Sequence, residues 1–214
     1  WAILAGPVNA LLVSLFLSSA EQGLYYSFGS MAQLVIYLEL GLGFVLQQLV
    51  SHEFARLKHG PSGAPIGDTE ALDRLRSLMR SALRWYAGIA LITLLLLPAG
   101  GWLFLSQVPG LADSGSHALL VESHQWQGPW LLLSLWVGIS VLWVPCWPLL
   151  EGSDRVAALY RFRLRQGVVA RSTSWCSLAL GQGLWAPFIE RFMQGIQALI
   201  WLARKQRTLI SSVF

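Results

Sequence analysis

Residues 85–107 have the sequence WYAGIALITLLLLPAGGWLFLSQ, which contains no charged side chain. Since a transmembrane helix needs about 20 mostly apolar residues to cross the hydrocarbon core of a bilayer, this segment alone is long enough for one. Residues 1–20 and 125–150 are uncharged as well. The chain therefore has the hydrophobic pattern of an integral membrane protein.

The amino-acid composition separates the chain from soluble domains. Hydrophobic residues make up 55% of it and charged residues only 12%, whereas a typical soluble domain has about 25% charged residues. The mean hydropathy is +0.54. The net charge of +4 comes from cations in short segments beside apolar stretches, where anionic lipid headgroups account for them. We therefore expect membrane lipids as partners and no nucleic acid.

The positions of the basic residues predict the orientation in the membrane. Of the 15 Lys and Arg residues, 13 fall in three clusters, at residues 56–84, 155–165 and 204–207. The connections at 18–23 and 108–127 contain no Lys or Arg. By the positive-inside rule, the three clusters are cytoplasmic and the two connections lie outside. The predicted location is the inner membrane, with both termini in the cytoplasm.

The hydrophobic pattern predicts an all-α, polytopic transmembrane bundle of about six spans, which together form a single lobe. The candidate spans are residues 2–19, 24–50, 85–106, 129–150, 164–183 and 187–203. Before the third span, residues 68–84 place leucines among charged side chains at helical spacing, which predicts an amphipathic helix on the cytoplasmic membrane surface. Because the chain begins at Trp1 without a Met, we expect it to be a fragment.

Charged residues inside the predicted spans are the first candidates for function, because burying a charge in hydrocarbon is costly. Glu39 lies midway along the second span, and we expect its carboxylate to face the helix bundle. Two interpretations remain open for it. Glu39 is either a buried, hydrogen-bonded and neutral side chain or the group that couples transport to an ion or proton.

Arg171, in the fifth span, is the second such residue. Ser174 and Gln182 fall on the same helical face as Arg171, and this polar stripe is a candidate cavity wall. The alternative is that the long side chain of Arg171 reaches the inner headgroups. Glu190 and Arg191 lie towards the outer end of the sixth span, where we expect them to anchor the helix at the interface.

Two tryptophans lie deeper in the fourth span than the interfacial belt of aromatic residues that membrane spans display. Trp143 and Trp147 are either part of a packed helix contact or a platform on which a sugar stacks. Their indole N–H groups need hydrogen-bond partners in both cases.

Motifs of enzymes and metal proteins are missing from the sequence. It contains no His-Glu-x-x-His, no Cys-x-x-Cys and no Gly-x-Ser-x-Gly pattern, and these are the spacings that indicate a zinc site or a nucleophilic serine. We therefore expect no metal, no cofactor and no enzymatic activity.

Three segments resemble a known family. They are SSAEQGLYYSFGS at residues 18–30, LELGLG at 38–43 and LLEG at 149–152. Together they resemble the first four spans of oligosaccharide flippases of the polysaccharide-transport type, which belong to the multidrug/oligosaccharidyl-lipid/polysaccharide exporter superfamily. The resemblance is looser over the last two spans.

The resemblance implies that the chain is the N-terminal one of two pseudo-symmetric six-helix lobes. The implied substrate is a glycan linked to undecaprenyl pyrophosphate, carried between the leaflets through a cavity between the lobes. Arg171 and Arg84 would hold the anionic headgroup, with Ser174 and Gln182 as further substrate-binding residues. The implied partner is a missing second lobe or a second copy of the chain.

Other functions remain open at this stage. A cation-coupled multidrug antiporter of the same superfamily would use Glu39 for coupling to protons or Na⁺. A non-transporting membrane scaffold would be a dry, fully packed bundle. A membrane-embedded lipid-modifying enzyme would need a second catalytic group close to Glu39.

The predicted orientation is testable by cysteine labelling in intact cells. Single cysteines at Ser62 and Ser116 should react from opposite sides of the membrane, with Ser116→Cys accessible from outside and Ser62→Cys only after the membrane is permeabilised. Labelling of both positions by a membrane-impermeant reagent applied outside would contradict the six-span orientation.

Overall fold

A computed structural model describes residues 2–60, 65–107 and 125–213 of the chain. The described residues form ten α-helices and one short antiparallel hairpin of two strands. The helices are α1 (Ala2–Phe16), α2 (Ser19–Gln33), α3 (Val35–Glu39), α4 (Leu42–Phe54), α5 (Thr69–Ser106), α6 (Gln127–Ser140), α7 (Cys146–Gly152), α8 (Val156–Ala179), α9 (Ala186–Lys205) and α10 (Arg207–Val213). The strands are β1 (Leu57–His59) and β2 (Pro65–Gly67). Ser62 and Ser116 lie outside the described residues.

The predicted all-α architecture is confirmed, and the apolar helices support a membrane location. By length and composition, two helical segments within the described ranges can cross a membrane, α5 and the continuous run Gln127–Gly152. A third results if α2–α3 and α4, which meet at an angle of 48°, count as one broken span. This number is smaller than the six spans that the sequence predicts.

The difference in span number has two causes. The first helix, α1, is 15 residues long, or about 22 Å at 1.5 Å per residue, which is short for a hydrocarbon core of about 30 Å. The fifth and sixth predicted spans correspond to α8 and α9, and both contain several charged side chains. Their average hydropathy is therefore low.

The second predicted span is a broken helix. A capping box starts α2, because the Glu21 carboxylate accepts a hydrogen bond from the Ser18 N–H at 2.8 Å, and the Ser18 hydroxyl accepts one from the Glu21 N–H at 3.4 Å. The break after α3 occurs where Leu40 and Gly41 adopt left-handed conformations, with φ of 49° and 74°. Two consecutive left-handed residues cannot continue a right-handed helix, so α4 starts in a new direction.

The predicted amphipathic segment 68–84 and the third span form one continuous helix of 38 residues, α5. The Asp68 carboxylate caps its start by accepting a hydrogen bond from the Glu70 N–H at 3.0 Å. No Gly or Pro lies between residues 68 and 87, so nothing in the sequence interrupts the helix at the expected boundary. Leu75, Met79 and Tyr86 lie fully buried along one face of it.

Close contacts between α5 and α6 form the centre of the apolar part of the bundle. The indole ring of Trp130, which is fully buried, packs directly against Gly101. Its N–H donates a hydrogen bond to the Pro98 carbonyl at 3.3 Å. On the other side, Gly138 of α6 packs against Leu94 of α5. Small residues let the two backbones approach, as is common between membrane helices.

The contact between Gly101 and Trp130 predicts a specific loss of stability. A Cβ at position 101 would overlap the Trp130 ring, whereas a Cβ at position 100 meets no atom within 4 Å. We expect Gly101→Ala to lower the free energy of unfolding by about 1–3 kcal/mol, the usual cost of overpacking. Gly100→Ala is the matched control and should be neutral or slightly stabilising. Thermal unfolding of the purified variants measures the difference, and equal midpoints for both would contradict this contact.

Candidate functional site

Two neighbouring cavities on the polar side of the bundle form the candidate functional site. The first, which we call the Arg171 cavity, has a volume of about 240 Å³ and lies among α1, α2, α6, α8 and α9. Its lining is mainly polar and includes Asn9, Tyr25, Tyr26, Ser30, Gln33, Arg171, Glu190 and Arg191.

An ion pair joins α8 to α9 in the wall of the Arg171 cavity. The Arg171 Nη2 atom lies 3.1 Å from the Glu190 Oε1 atom, with 33% of the Arg171 side chain and 14% of the Glu190 side chain exposed. The same carboxylate oxygen accepts a hydrogen bond from Gln194 Nε2 at 3.3 Å. Glu190, which the sequence placed at the membrane interface, is instead the internal counter-ion of Arg171.

Asn9 and Tyr25 close another side of the Arg171 cavity. The Tyr25 hydroxyl donates a hydrogen bond to the Asn9 side-chain oxygen at 3.2 Å, and both side chains are buried. This bond satisfies the polar group of Asn9 inside an otherwise apolar α1. It also links α1 to α2 beside the ion pair.

The other residues of the predicted polar stripe lie elsewhere. Ser174 is buried, and its hydroxyl donates a hydrogen bond to the Ala186 carbonyl at 3.3 Å, so it holds α8 against the start of α9. Gln182 is exposed beyond the end of α8, because Gly181 adopts a left-handed conformation with φ of 77°. Arg84 is an exposed residue of α5 and does not line the Arg171 cavity.

The second cavity, which we call the tryptophan cavity, has a volume of about 400 Å³. Three indole rings line it together with polar side chains from α6, α8 and α9. Its lining includes Trp136, Ser140, Trp143, Trp147, Arg163, Gln166, Arg191 and Gln194. The cavity therefore combines flat apolar surfaces with hydrogen-bonding groups.

Specific contacts hold the walls of the tryptophan cavity. The Arg163 guanidinium pairs with Glu151 at 3.1 Å and lies over the Trp147 ring, 5.6 Å from its centroid. The Trp136 N–H donates a hydrogen bond to the Arg191 carbonyl at 2.9 Å. These contacts fix the orientation of Trp136 and Trp147 and leave part of each indole ring lining the cavity.

Arg191 lines both cavities and so lies where they meet. Its side chain is exposed. Arg163 and Arg171 each pair with a carboxylate, whereas Arg191 forms no salt bridge within the part of the chain that the structure describes. Arg191 is therefore the cation of this site whose charge is available to a ligand.

The sequence contained a partial signal for this arrangement. Trp136, Trp143 and Trp147 are separated by seven and four residues, the spacing that places side chains on one face of a regular helix. The pairing of Arg171 with a carboxylate 19 positions along the chain had no local signal, because it depends on how α8 packs against α9. For the same reason the sequence did not single out Arg191 as a binding residue.

Glu39 lies apart from both cavities. It is partly buried at the end of α3, just before the left-handed break, and α3 packs against α5, the helix that contains Tyr86. The Tyr86 hydroxyl is buried and has no hydrogen-bond partner among the described residues. A Cβ atom added at Gly43 would lie 3.6 Å from this hydroxyl oxygen. Glu39 thus lies at a helix break.

Comparisons with known proteins identify no relative. No family model matches the chain, and no significant match was found among curated proteins or solved structures. Within the described ranges, no three His, Cys, Asp or Glu side chains are grouped so that they could hold a metal ion. The chemistry of the two cavities is therefore the main guide to function.

The ion pair between Arg171 and Glu190 predicts strong coupling between the two positions. Arg171→Gln leaves the carboxylate, which is only 14% exposed, without its counter-ion, and a buried unpaired charge is costly. We expect Arg171→Gln to destabilise the chain, and Arg171→Gln with Glu190→Gln to recover part of the loss. A double-mutant cycle on thermal unfolding should give a coupling of about 1 kcal/mol or more. Additive effects of the two substitutions would show that the pair contributes no interaction.

Proposed function

We propose that this chain is one lobe of a membrane transporter that flips a lipid-linked oligosaccharide across the cytoplasmic membrane for surface polysaccharide synthesis. The observation that carries the proposal is the pair of neighbouring cavities, where Arg191, which forms no salt bridge among the described residues, lies beside three indole rings and several polar side chains. A glycan joined to a lipid pyrophosphate has an anionic part that matches the arginine and a sugar part that matches the indole rings. The resemblance of the N-terminal segments to oligosaccharide flippases supports the same function.

The anionic part of such a substrate fits Arg191. A guanidinium binds phosphate oxygens through paired, charge-assisted hydrogen bonds, and Arg191 forms no salt bridge with a carboxylate among the described residues. Arg171 contributes differently, because its guanidinium already pairs with Glu190. In this proposal Arg171 shapes the cavity wall and gains a role in binding only when its pair with Glu190 opens.

The glycan part fits the tryptophan cavity. Sugar rings have one apolar face of C–H groups and an edge of hydroxyls, so they favour sites that combine aromatic surfaces with hydrogen-bonding groups. Trp143 and Trp147 offer such surfaces, and Ser140, Gln166 and Gln194 line the same space. The lipid tail would remain in the bilayer.

The transport cycle requires a second half. Both cavities are open to the surface of the described bundle, so one lobe cannot shield a glycan from lipid. We propose that a second lobe, or a second copy of this chain, covers the cavities and alternates their access between the two sides of the membrane. The six-span topology with cytoplasmic termini, taken from the charge distribution, belongs to this proposal.

A cation-coupled antiporter is the second candidate function. Glu39 lies at the break between α3 and α4, and broken helices commonly form ion sites in transporters. The third candidate, a dry and fully packed scaffold, would not be expected to contain the two polar cavities. Loss of proton- or Na⁺-driven drug efflux in Glu39→Gln, with glycan binding absent in the wild type, would favour the antiporter.

Binding of a polyprenyl-pyrophosphate-linked oligosaccharide to the full protein in lipid nanodiscs tests the proposal. Arg191→Gln should weaken binding about 10-fold or more, the size expected for losing a charge-assisted hydrogen bond. It should also weaken binding of the same polyprenyl pyrophosphate without sugar. Trp143→Leu should weaken binding of the glycosylated lipid only. Arg161→Gln is the matched control, because Arg161 is an exposed arginine of α8 that lines neither cavity.

Export in cells provides the functional part of the same test. At equal membrane levels, Arg191→Gln should reduce surface glycan while Arg161→Gln does not. Arg171→Ala should also reduce it, and Arg171→Lys should retain part of the activity because a lysine can still pair with Glu190. Full export and unchanged binding in Arg191→Gln would overturn the assignment of the headgroup site.

A further inference from the structure

A third cavity lies between α8 and α9, and its Phe162 ring stacks against Trp147 of the tryptophan cavity. This groove has a volume of about 260 Å³, and none of its lining residues lines the Arg171 or the tryptophan cavity. Its lining consists of Phe162, Arg165, Val169, Gln197, Ile200, Trp201, Arg204 and Lys205.

The inner part of the groove is apolar and aromatic. Phe162 and Trp201 stack with their ring centroids 4.5 Å apart and their planes at 10°. Val169 and Ile200 flank this stack, and each is 48% exposed. Side chains of this kind favour an apolar neighbour over water. The groove thus has a wall suited to hydrocarbon.

The rim of the groove carries three positive charges. Arg165 belongs to α8, and Arg204 and Lys205 belong to the last turn of α9. All three side chains are exposed. None of them forms a salt bridge within the described ranges, in contrast to Arg74, Arg76, Arg163 and Arg171. No acidic residue lines the groove, so its positive charge is uncompensated.

We propose that this groove binds an anionic glycerophospholipid. Its phosphate contacts Arg165, Arg204 and Lys205, and an acyl chain lies along Val169, Ile200 and the aromatic stack. The charge distribution of the sequence puts this end of α8 and α9 on the cytoplasmic side, where anionic lipids attract basic residues. A soluble anion would use the cations but leave the apolar wall uncovered. The site does not depend on the proposed glycan substrate, but it uses the membrane orientation that is part of the proposed function.

Native mass spectrometry of the full protein, released from nanodiscs of phosphatidylglycerol and phosphatidylcholine, tests the site. The wild type should retain phosphatidylglycerol in preference to phosphatidylcholine. Arg165→Gln with Arg204→Gln should reduce the retained phosphatidylglycerol about 10-fold or more, because it removes two of the three cations that contact the phosphate in this proposal, together with their charge-assisted hydrogen bonds. Arg56→Gln with Arg80→Gln is the matched control, because it removes the same charge from exposed positions outside the groove.

A second variant tests the apolar part without changing the charge. Val169→Trp fills the groove and should also reduce the retained phosphatidylglycerol. Equal losses in the groove pair and the control pair would show diffuse attraction to the membrane and would overturn the proposal. So would retention of inorganic phosphate as effectively as the lipid, or full lipid retention in Val169→Trp.

Discussion

A charged side chain inside an apolar bundle needs a counter-ion or access to water, and this constraint organises the polar half of the molecule. Arg163 and Arg171 lie on the same helix, α8, yet each pairs with a carboxylate on a different neighbour. Glu151 of α7 satisfies the first and Glu190 of α9 satisfies the second. The two ion pairs therefore fix α8 from both sides, and the space that remains beside them becomes the two polar cavities.

The apolar half obeys a different rule. Where the uncharged part of α5 packs against α6, no side chain needs a counter-ion. The two helices are held there by close packing, with Gly101 against Trp130 and Gly138 against Leu94. Among the described residues, α5 and the run Gln127–Gly152 are the single helices that are long and apolar enough to cross a membrane, because α8 and α9 contain charged side chains and α1 is short. Average hydropathy counts a charge equally whether it faces lipid or a cavity. A helix that lines a polar cavity, such as α8, therefore has a low value wherever it lies.

The sequence predicted most helices of this fold, because hydrophobic periodicity and the absence of helix breakers are local properties. It predicted less of the site. Arg171 and the deep tryptophans were recognised as unusual, but their partners depend on packing between helices. Ser174 lies in α8 one turn after Arg171, whereas Gln182 would share that face only if α8 continued beyond Ala179. The left-handed conformation of Gly181 ends that face, and glycine adopts it without strain.

Arginine has three different roles in this chain, and the surroundings of each side chain decide which. Where a carboxylate is within reach, as at Arg171, the guanidinium becomes part of the structure. Arg191 has no such counter-ion among the described residues and lies beside indole rings in a cavity. Arg165 is equally uncompensated but lies beside exposed aliphatic side chains. In our two proposals Arg191 binds a sugar-linked phosphate and Arg165 binds a lipid phosphate, because the apolar surface next to each cation selects what the anion carries.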